Sequence, residues 1–184
     1  CKSEFIPEEE LVNEWGDDIA KLIRGLLKVS TLYSKQAAVE SDNFRKLLLT
    51  FAEDIRVIII MIIDRLELMR TINHHPNEKM VHDVAYESNY LYAPLAHRLG
   101  LYAIKSELED MSLKYTNRET YTEIAHKLNE TKKSRDAYIA EFIKPIKEKL
   151  DKTPLKYEIK GRTKSIYSIW NKLKKQKNDI EHIY

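Results

Sequence analysis

The most hydrophobic stretch of the chain runs from Ile55 to Ile72. Its first half, Val57–Ile63, is apolar without interruption, and its second half continues with apolar residues at helical spacing. Strong helix formers flank the run, so the pattern predicts a helix that is buried all round rather than a central strand. The run is too short to span a bilayer, and Arg56 and Asp64 close it with charges on both sides.

Apolar stripes at helical spacing predict helices along most of the remaining chain. Their ends are indicated by turn and capping residues: Pro7 begins the first helix, Gly16 ends it, and Gly100 ends a long helix that Pro94 should kink. We expect a polar loop over Ser30–Val39. The predicted helices run from Glu8 to Gly16, from Asp17 through Leu27, from Ser41 through Phe51, from Ile55 to Ile72, from Glu78 to Leu99, through Ile104 and Met111, and, as one or two helices, from Glu119 to about Asp151.

The periodicity changes after a linker at Lys152-Thr153-Pro154. Lys156–Gly161 alternates like a short strand, Ser165–Lys175 is again helical, and Asp179–Tyr184 has the pattern of a strand that is just beginning. The sequence therefore predicts a mainly α protein, with a helical domain that ends near residue 152 and the first β-α-β piece of another domain after it.

The composition agrees with a mainly α fold. Among 184 residues there are only four glycines and five prolines, which favours long helices over tight turns. One cysteine excludes a disulfide framework and a cysteine-rich metal site. We find no signal peptide or membrane span and expect a cytoplasmic protein, and Cys1 in place of an initiating Met indicates a piece of something longer.

The net charge of +2 hides an uneven distribution, because the start of the chain is acidic and residues 152–177 contain Glu158 as their only acid. Such a basic segment is typical of a protein that binds a phosphate-carrying partner, either a nucleotide or a nucleic acid. Within it, Lys164, Ser168 and Lys172 are spaced four apart. They share one helix face if the helix begins by residue 164.

Asp64 stands out because it follows directly on the apolar run, where an ionised carboxylate is costly unless it is paired or bound to a metal. Two interpretations stay open. In one, Asp64 forms a structural ion pair with a neighbouring arginine such as Arg56 or Arg70. In the other, it is a ligand or catalytic carboxylate at the bottom of a pocket.

Three blocks, in order, resemble the RelA/SpoT family of alarmone enzymes. Asp64–Thr71 is similar to that family's Asp-Arg-Leu-His-Asn-Met-Arg-Thr block, and Tyr92–Gly100, followed by Lys105 and 107–110, resembles the signature after it. Gly161–Lys172 resembles the opening of the synthetase domain. The resemblance implies the later part of an HD-domain-like helical bundle over 1–115, a helical connector over 116–152, and over 153–184 the start of a nucleotidyltransferase-like synthetase domain.

The resemblance also implies a manganese site in those members that hydrolyse guanosine tetraphosphate, and Asp64 stands at the position of one ligand. The other ligands would precede residue 1, so no metal site can close in this chain alone. For the parent protein, Mn²⁺ is expected only if the hydrolase is active. Two departures predict a degenerate hydrolase. Cys1-Lys2-Ser3 stands where competent members carry a Glu-Asp pair, and the family's His-Asn is Glu67-Leu68 here. Asp64, a vestigial ligand, would then survive as a structural group paired with an arginine. His82-Asp83 is interpreted as two polar residues on a solvated face.

For the synthetase, the resemblance implies that Arg162 stacks on the adenine of ATP, that Lys164 and Lys172 hold its phosphates, and that Ser168 lies close to them. From the residues themselves, we expect Gly161 to let the backbone turn ahead of the helix, so that amides and cations form an anion site. The Mg²⁺ ligand and the later catalytic residues of the family would follow the end of the chain. No catalytic set is therefore complete, and the chain alone should transfer nothing.

The sequence thus predicts part of an alarmone synthetase that moves pyrophosphate from ATP to the 3′-hydroxyl of GTP or GDP. An alternative keeps an active manganese-dependent hydrolase beside the synthetase. A rival from another class is a non-enzymatic helical module that binds RNA or another anion. Ribosome contacts would come from regions outside this chain, and we expect no membrane and no DNA partner.

Overall fold

The structure is a computed structural model that describes residues 7–35, 54–161 and 163–176. The chain divides into two compact units, residues 1–116 and residues 117–184. Their predicted identities, and the further boundary at residue 152, stay predictions. In the described residues α-helices account for nearly all regular structure and no strand occurs, so the mainly α fold is confirmed. The helices are α1 Glu8–Trp15, α2 Asp17–Lys35, α3 Ile55–Thr71, α4 Glu78–Glu87, α5 Ala93–Arg98, α6 Tyr102–Thr116, α7 Arg118–Glu130, α8 Lys132–Leu150 and α9 Ile166–Gln176.

The core of the first unit is built around α3, as the apolar run predicts. One stripe of α3 is fully buried and packs with residues of α4 to α6 and with Val29 of α2. The helix is not buried all round, however. Ile55, Ile59, Ile60 and Ile63 are each between 36% and 51% exposed, because the side chains that contact α3 in the described residues reach only one of its faces.

The long helix predicted from Glu78 to Leu99 is interrupted before Pro94. A π-helical turn over Ser88–Tyr92 separates α4 from α5, and the amide of Ala93 donates to the carbonyl of Ser88, five residues back. Proline cannot donate and its ring crowds the carbonyl four residues before it, so a wider turn is a common way to accommodate it. The predicted kink therefore takes the form of a π turn.

Both glycines that were predicted to end helices do so in the left-handed region. Gly16 has φ +82° and Gly100 has φ +73°. At the second, the amide of Leu101 donates to the carbonyl of Ala96 at 2.9 Å, which satisfies one of the carbonyls left over at the end of α5.

Three predicted local features differ from the structure or lie outside it. The loop predicted over Ser30–Val39 is wrong for its first part, because α2 continues to Lys35, and its remainder lies outside the described residues. The predicted helix over Ser41–Phe51 lies outside the described residues. Lys156–Gly161 forms no strand, and the segment that would pair with it, Ile180–Tyr184, is also outside the described part of the chain.

The second unit contains α7, α8 and α9. Asn117 begins α7 by accepting a hydrogen bond from the amide of Thr120 at 3.2 Å. After α8 the backbone runs without regular structure to α9, and the Tyr157 hydroxyl donates to the carboxylate of Asp151 and ties this segment to the end of α8. That bond raises the pKa of Tyr157 to about 12. Across the described ranges of both units, no helix is long and apolar enough to cross a membrane.

Candidate functional site

A cavity of about 240 Å³ lies within the second unit, between the two helices of the predicted connector and the segment that leads into α9. Three of the residues that line it are cationic: Lys127 from α7, Arg135 from α8, and Lys164. Apolar side chains and hydroxyl groups make up the rest of its wall. The remaining lining residues are Leu128, Thr131, Tyr138, Ile139, Thr163 and Ile169.

Lys164 reaches this cavity from the backbone that precedes α9, not from the helix itself. Ser165 stands at the N-cap position and its Oγ accepts from the amide of Ser168 at 3.3 Å, so the first helical residue is Ile166. The condition for a shared helix face, a helix that begins by residue 164, is therefore not met. Lys164 is placed by the capped start of α9 instead.

Of the other predicted nucleotide-binding residues, Ser168 and Lys172 do not line the cavity. Ser168 accepts a hydrogen bond from the hydroxyl of Ser165 at 2.9 Å, and Lys172 is exposed on α9. Arg162 lies outside the described residues. The structure thus brings Lys164 together with Lys127 and Arg135, and it does not bring Lys164 and Lys172 into one cavity.

Gly161 acts through its size rather than through backbone freedom. Among the described glycines only Gly16 and Gly100 lie in the left-handed region, so Gly161 does not use that conformation. A Cβ atom at residue 161 would stand 2.6 Å from Cγ2 of Ile139 and 3.4 Å from Cδ1 of Ile143. The absence of a side chain lets the segment before Lys164 pack directly on α8, beside the cavity wall that Ile139 forms.

Arg135 holds the corner between α7 and α8. Its Nη2 donates to the carbonyl of Leu128 at 2.8 Å, across the single residue Thr131 that separates the two helices. The carbonyl belongs to the last turn of α7, where a cation is favoured by the helix dipole. Arg135 therefore both fixes the corner and lines the cavity.

In the first unit, the structural ion pair predicted for Asp64 is wrong. Asp64 is exposed, because it lies two residues from Ile62 and from Leu66 and so faces away from the buried stripe of α3. Both candidate arginines have other partners. Arg56 contacts Asp18 at 2.8 Å and Asp54 at 2.6 Å, and Arg70 contacts Glu67 at 2.6 Å and Glu107 at 2.7 Å.

The charge that the core does accommodate belongs to the next residue, Arg65. Only 12% of its side chain is exposed, its Nη2 lies 2.6 Å from Oε2 of Glu87, and its guanidinium stands 4.3 Å from the ring centre of Tyr92. A paired and stacked guanidinium can be half-buried at acceptable cost. Sequence reasoning missed Arg65 because it considered only the preceding residue, Asp64, as the charge that needed a partner.

The described residues offer no metal centre. No group of three or more His, Cys, Asp or Glu side chains among them could hold an ion. Asp64 alone does not make up a manganese site. His82 and Asp83 lie on α4 with 56% and 65% of their side chains exposed, which confirms a solvated face.

Comparison with known proteins assigns this helical bundle to a class. Residues 2–102 match the family described as HD domain, which is more than half of the chain. The chain is 40% identical over 181 residues to a GTP pyrophosphokinase of Myxococcus xanthus, covering 96% of this chain and 24% of that protein. It is 36% identical over 177 residues to a guanosine-3′,5′-bis(diphosphate) 3′-pyrophosphohydrolase of Aquifex aeolicus, covering 96% of this chain and 25% of that protein.

A GTP pyrophosphokinase of Haemophilus influenzae is 35% identical over 181 residues, with 96% of this chain and 24% of that protein covered. The chain therefore belongs to the RelA/SpoT family of HD-domain proteins. It spans about a quarter of the length of these curated relatives.

Two cavity residues, Lys127 and Arg135, were not predicted from the sequence. They lie in a stretch rich in Lys and Glu, where each reads as one more solvated charge of an amphipathic helix. The signal that could have found them is the short Thr131 corner, which turns the two helices so that residues eight apart line the same cavity.

Proposed function

We propose that this chain is part of a GTP pyrophosphokinase that transfers the β,γ-pyrophosphate of ATP to the 3′-hydroxyl of GTP or GDP. The observation that carries the proposal is the position of Lys164: this cation of the Gly161–Lys172 block lines a cavity beside two further cations, Lys127 and Arg135. The names of the M. xanthus and H. influenzae relatives support the same reaction. We place it in the cytoplasm, which supplies these nucleotides.

Such a transfer depends on neutralising the phosphates and on holding the acceptor hydroxyl in line. In this proposal Arg162 stacks on adenine, Lys164 and Lys172 hold the phosphates, and Ser168 lies beside them. Mg²⁺ would neutralise further charge in the complete synthetase. The part of this chain in the proposal is to bind and orient ATP.

We further propose that the hydrolase is degenerate. Leu68 replaces a polar residue of the family block, which would remove a polar contact to the substrate. The second candidate is a bifunctional enzyme with a manganese-dependent hydrolase, which the name of the A. aeolicus relative favours. Incubation of the full-length protein with guanosine tetraphosphate and Mn²⁺ decides between them, since turnover would establish the bifunctional enzyme.

The synthetase proposal is tested by incubating the full-length protein with ATP and GDP and measuring guanosine tetraphosphate. We expect product, and we expect Lys172→Ala to reduce its rate by about tenfold or more because a cation on the phosphates is lost. Lys175→Ala on the same helix is the matched control and should keep the rate. A full rate in Lys172→Ala would remove Lys172 from the mechanism, and a protein that makes no product would overturn the proposal.

Binding measurements separate the enzyme from a non-enzymatic RNA-binding module. Binding of RNA by lysine clusters weakens steeply with salt and is indifferent to the base. A nucleotide site should instead prefer ATP over other nucleoside triphosphates. Equal binding of all four triphosphates, together with salt-sensitive RNA binding, would favour the module.

A further inference from the structure

The cavity of the second unit has a strongly one-sided charge. Lys127, Arg135 and Lys164 line it, and no carboxylate is among the described residues that do so. None of the three forms an ion pair within the described ranges. Like charges gathered around an apolar cavity repel one another, and an anion inside it would relieve that repulsion.

Arg135 in particular has hydrogen-bonding capacity to spare. Its Nη2 caps α7 through the carbonyl of Leu128, whereas its Nε and Nη1 are buried and have no hydrogen-bond partner among the described residues. Buried charged donors without acceptors are costly, and in native proteins they indicate a missing ligand, ion or water. The same guanidinium belongs to a residue that lines the cavity, so its charge favours an anion there.

The size and the wall of the cavity narrow the class of anion. Leu128, Ile139 and Ile169 give it an apolar floor, and Tyr138, with 67% of its surface exposed, stands at its edge. Its volume of about 240 Å³ falls just short of the roughly 300–1,000 Å³ typical of complete small-molecule sites. Such a cavity suits one end of a larger ligand, a phosphate chain whose organic part extends over apolar surface.

We propose that Lys127 and Arg135 are nucleotide-binding residues, so that α7 and α8 form part of the ATP site rather than a passive connector. The inference rests on the proposed function in taking ATP as the nucleotide. In it, the triphosphate lies among the three positive charges of Lys127, Arg135 and Lys164. Lys172 meets the nucleotide from α9, outside the cavity.

The test is calorimetric titration of the 184-residue chain with ATP and, separately, with inorganic tripolyphosphate. Lys127→Gln should weaken the binding of both by about tenfold, the effect of losing one charge-assisted contact. Arg135→Lys keeps the charge but loses the fork of the guanidinium and should weaken both by a similar factor. Lys133→Gln, an exposed neighbour on α8, is the matched control and should change either affinity by less than about twofold.

The outcomes distinguish this inference from the proposed function. If Lys127→Gln binds ATP and tripolyphosphate as tightly as the unchanged chain, the inference fails. If Lys172→Ala still reduces the rate of synthesis by about tenfold or more in the full-length protein, the proposed function stands without this inference. Conversely, weakened tripolyphosphate binding in Lys127→Gln, with no synthesis by the full-length protein, would keep the anion site and overturn the synthetase.

Discussion

Gly161 and Ile139 meet so closely that no side chain fits between them. A Cβ at residue 161 would lie 2.6 Å from Cγ2 of Ile139, closer than real Cβ atoms come to their neighbours. We expect Gly161→Ala to destabilise the second unit by about 1–3 kcal/mol, the usual cost of overpacking. Thermal unfolding checks this value.

Removal of the opposing atom should rescue that variant. Ile139→Ala deletes Cγ2, so Gly161→Ala combined with Ile139→Ala should lose less stability than the sum of the two single changes. Additive losses would show that Gly161 is needed for its backbone conformation and not for its size.

Asp64→Asn should leave the stability of the chain within about 0.5 kcal/mol of its original value, since Asp64 is an exposed residue away from the core. Glu87→Gln should cost about 2 kcal/mol, because it removes the carboxylate that faces the half-buried Arg65. Urea denaturation of the two variants measures both values. A larger loss in Asp64→Asn than in Glu87→Gln would contradict the assigned pairing.

Arg56 should give stability a characteristic pH dependence. Its hydrogen bonds hold the pKa values of Asp18 and Asp54 below their usual range. Because these carboxyl groups have lower pKa values in the folded chain than in the unfolded one, the stability they contribute is present above about pH 4 and is lost as the pH falls through the folded values.

The melting temperature of Arg56→Gln should therefore lie below that of the unchanged chain at pH 7, and the two should converge as the pH falls below about 4. Lys79→Gln, an exposed change on α4, is the control and should show the same difference at every pH. A difference in melting temperature between Arg56→Gln and the unchanged chain that stays constant down to pH 2 would show that the contacts of Arg56 are not electrostatic.

Ser112 should stabilise the contact between α6 and α4 by about 1 kcal/mol. It is 2% exposed, and its hydroxyl donates to the carbonyl of Ala85 at 2.7 Å. Ser112→Ala leaves that carbonyl without this donor, whereas Ser134→Ala removes an exposed bond to the carbonyl of Thr131 and should be nearly neutral. Equal melting temperatures for the two variants would contradict the difference in burial.

Features set by neighbours in the sequence were predictable, and features set by distant packing were not. Local chemistry alone determines the stops at Gly16 and Gly100, the distortion before Pro94 and the helix on either side of Asp64. The face on which Asp64 lies and the partner of Arg65 depend on which stripe of α3 is covered by α4 to α6. Periodicity could not settle this in a run without polar positions.

The candidate site divides in the same way. The block Gly161–Lys172 pointed to Lys164, but the cap at Ser165 starts α9 at Ile166 and leaves Lys164 outside the helix. Lys127 and Arg135 join it through the fold of two separate helices. No spacing rule relates residue 127 to residue 164, so only the structure could bring them together.

The hydrogen bond from Arg135 to the end of α7 links the cavity to the angle between α7 and α8. A single guanidinium both joins two helices at their bend and borders the space between them, so whatever occupies that space also braces the bend. A ligand bound in the cavity would restrict motion at the corner between α7 and α8, and a change that opened this corner would weaken binding of the ligand.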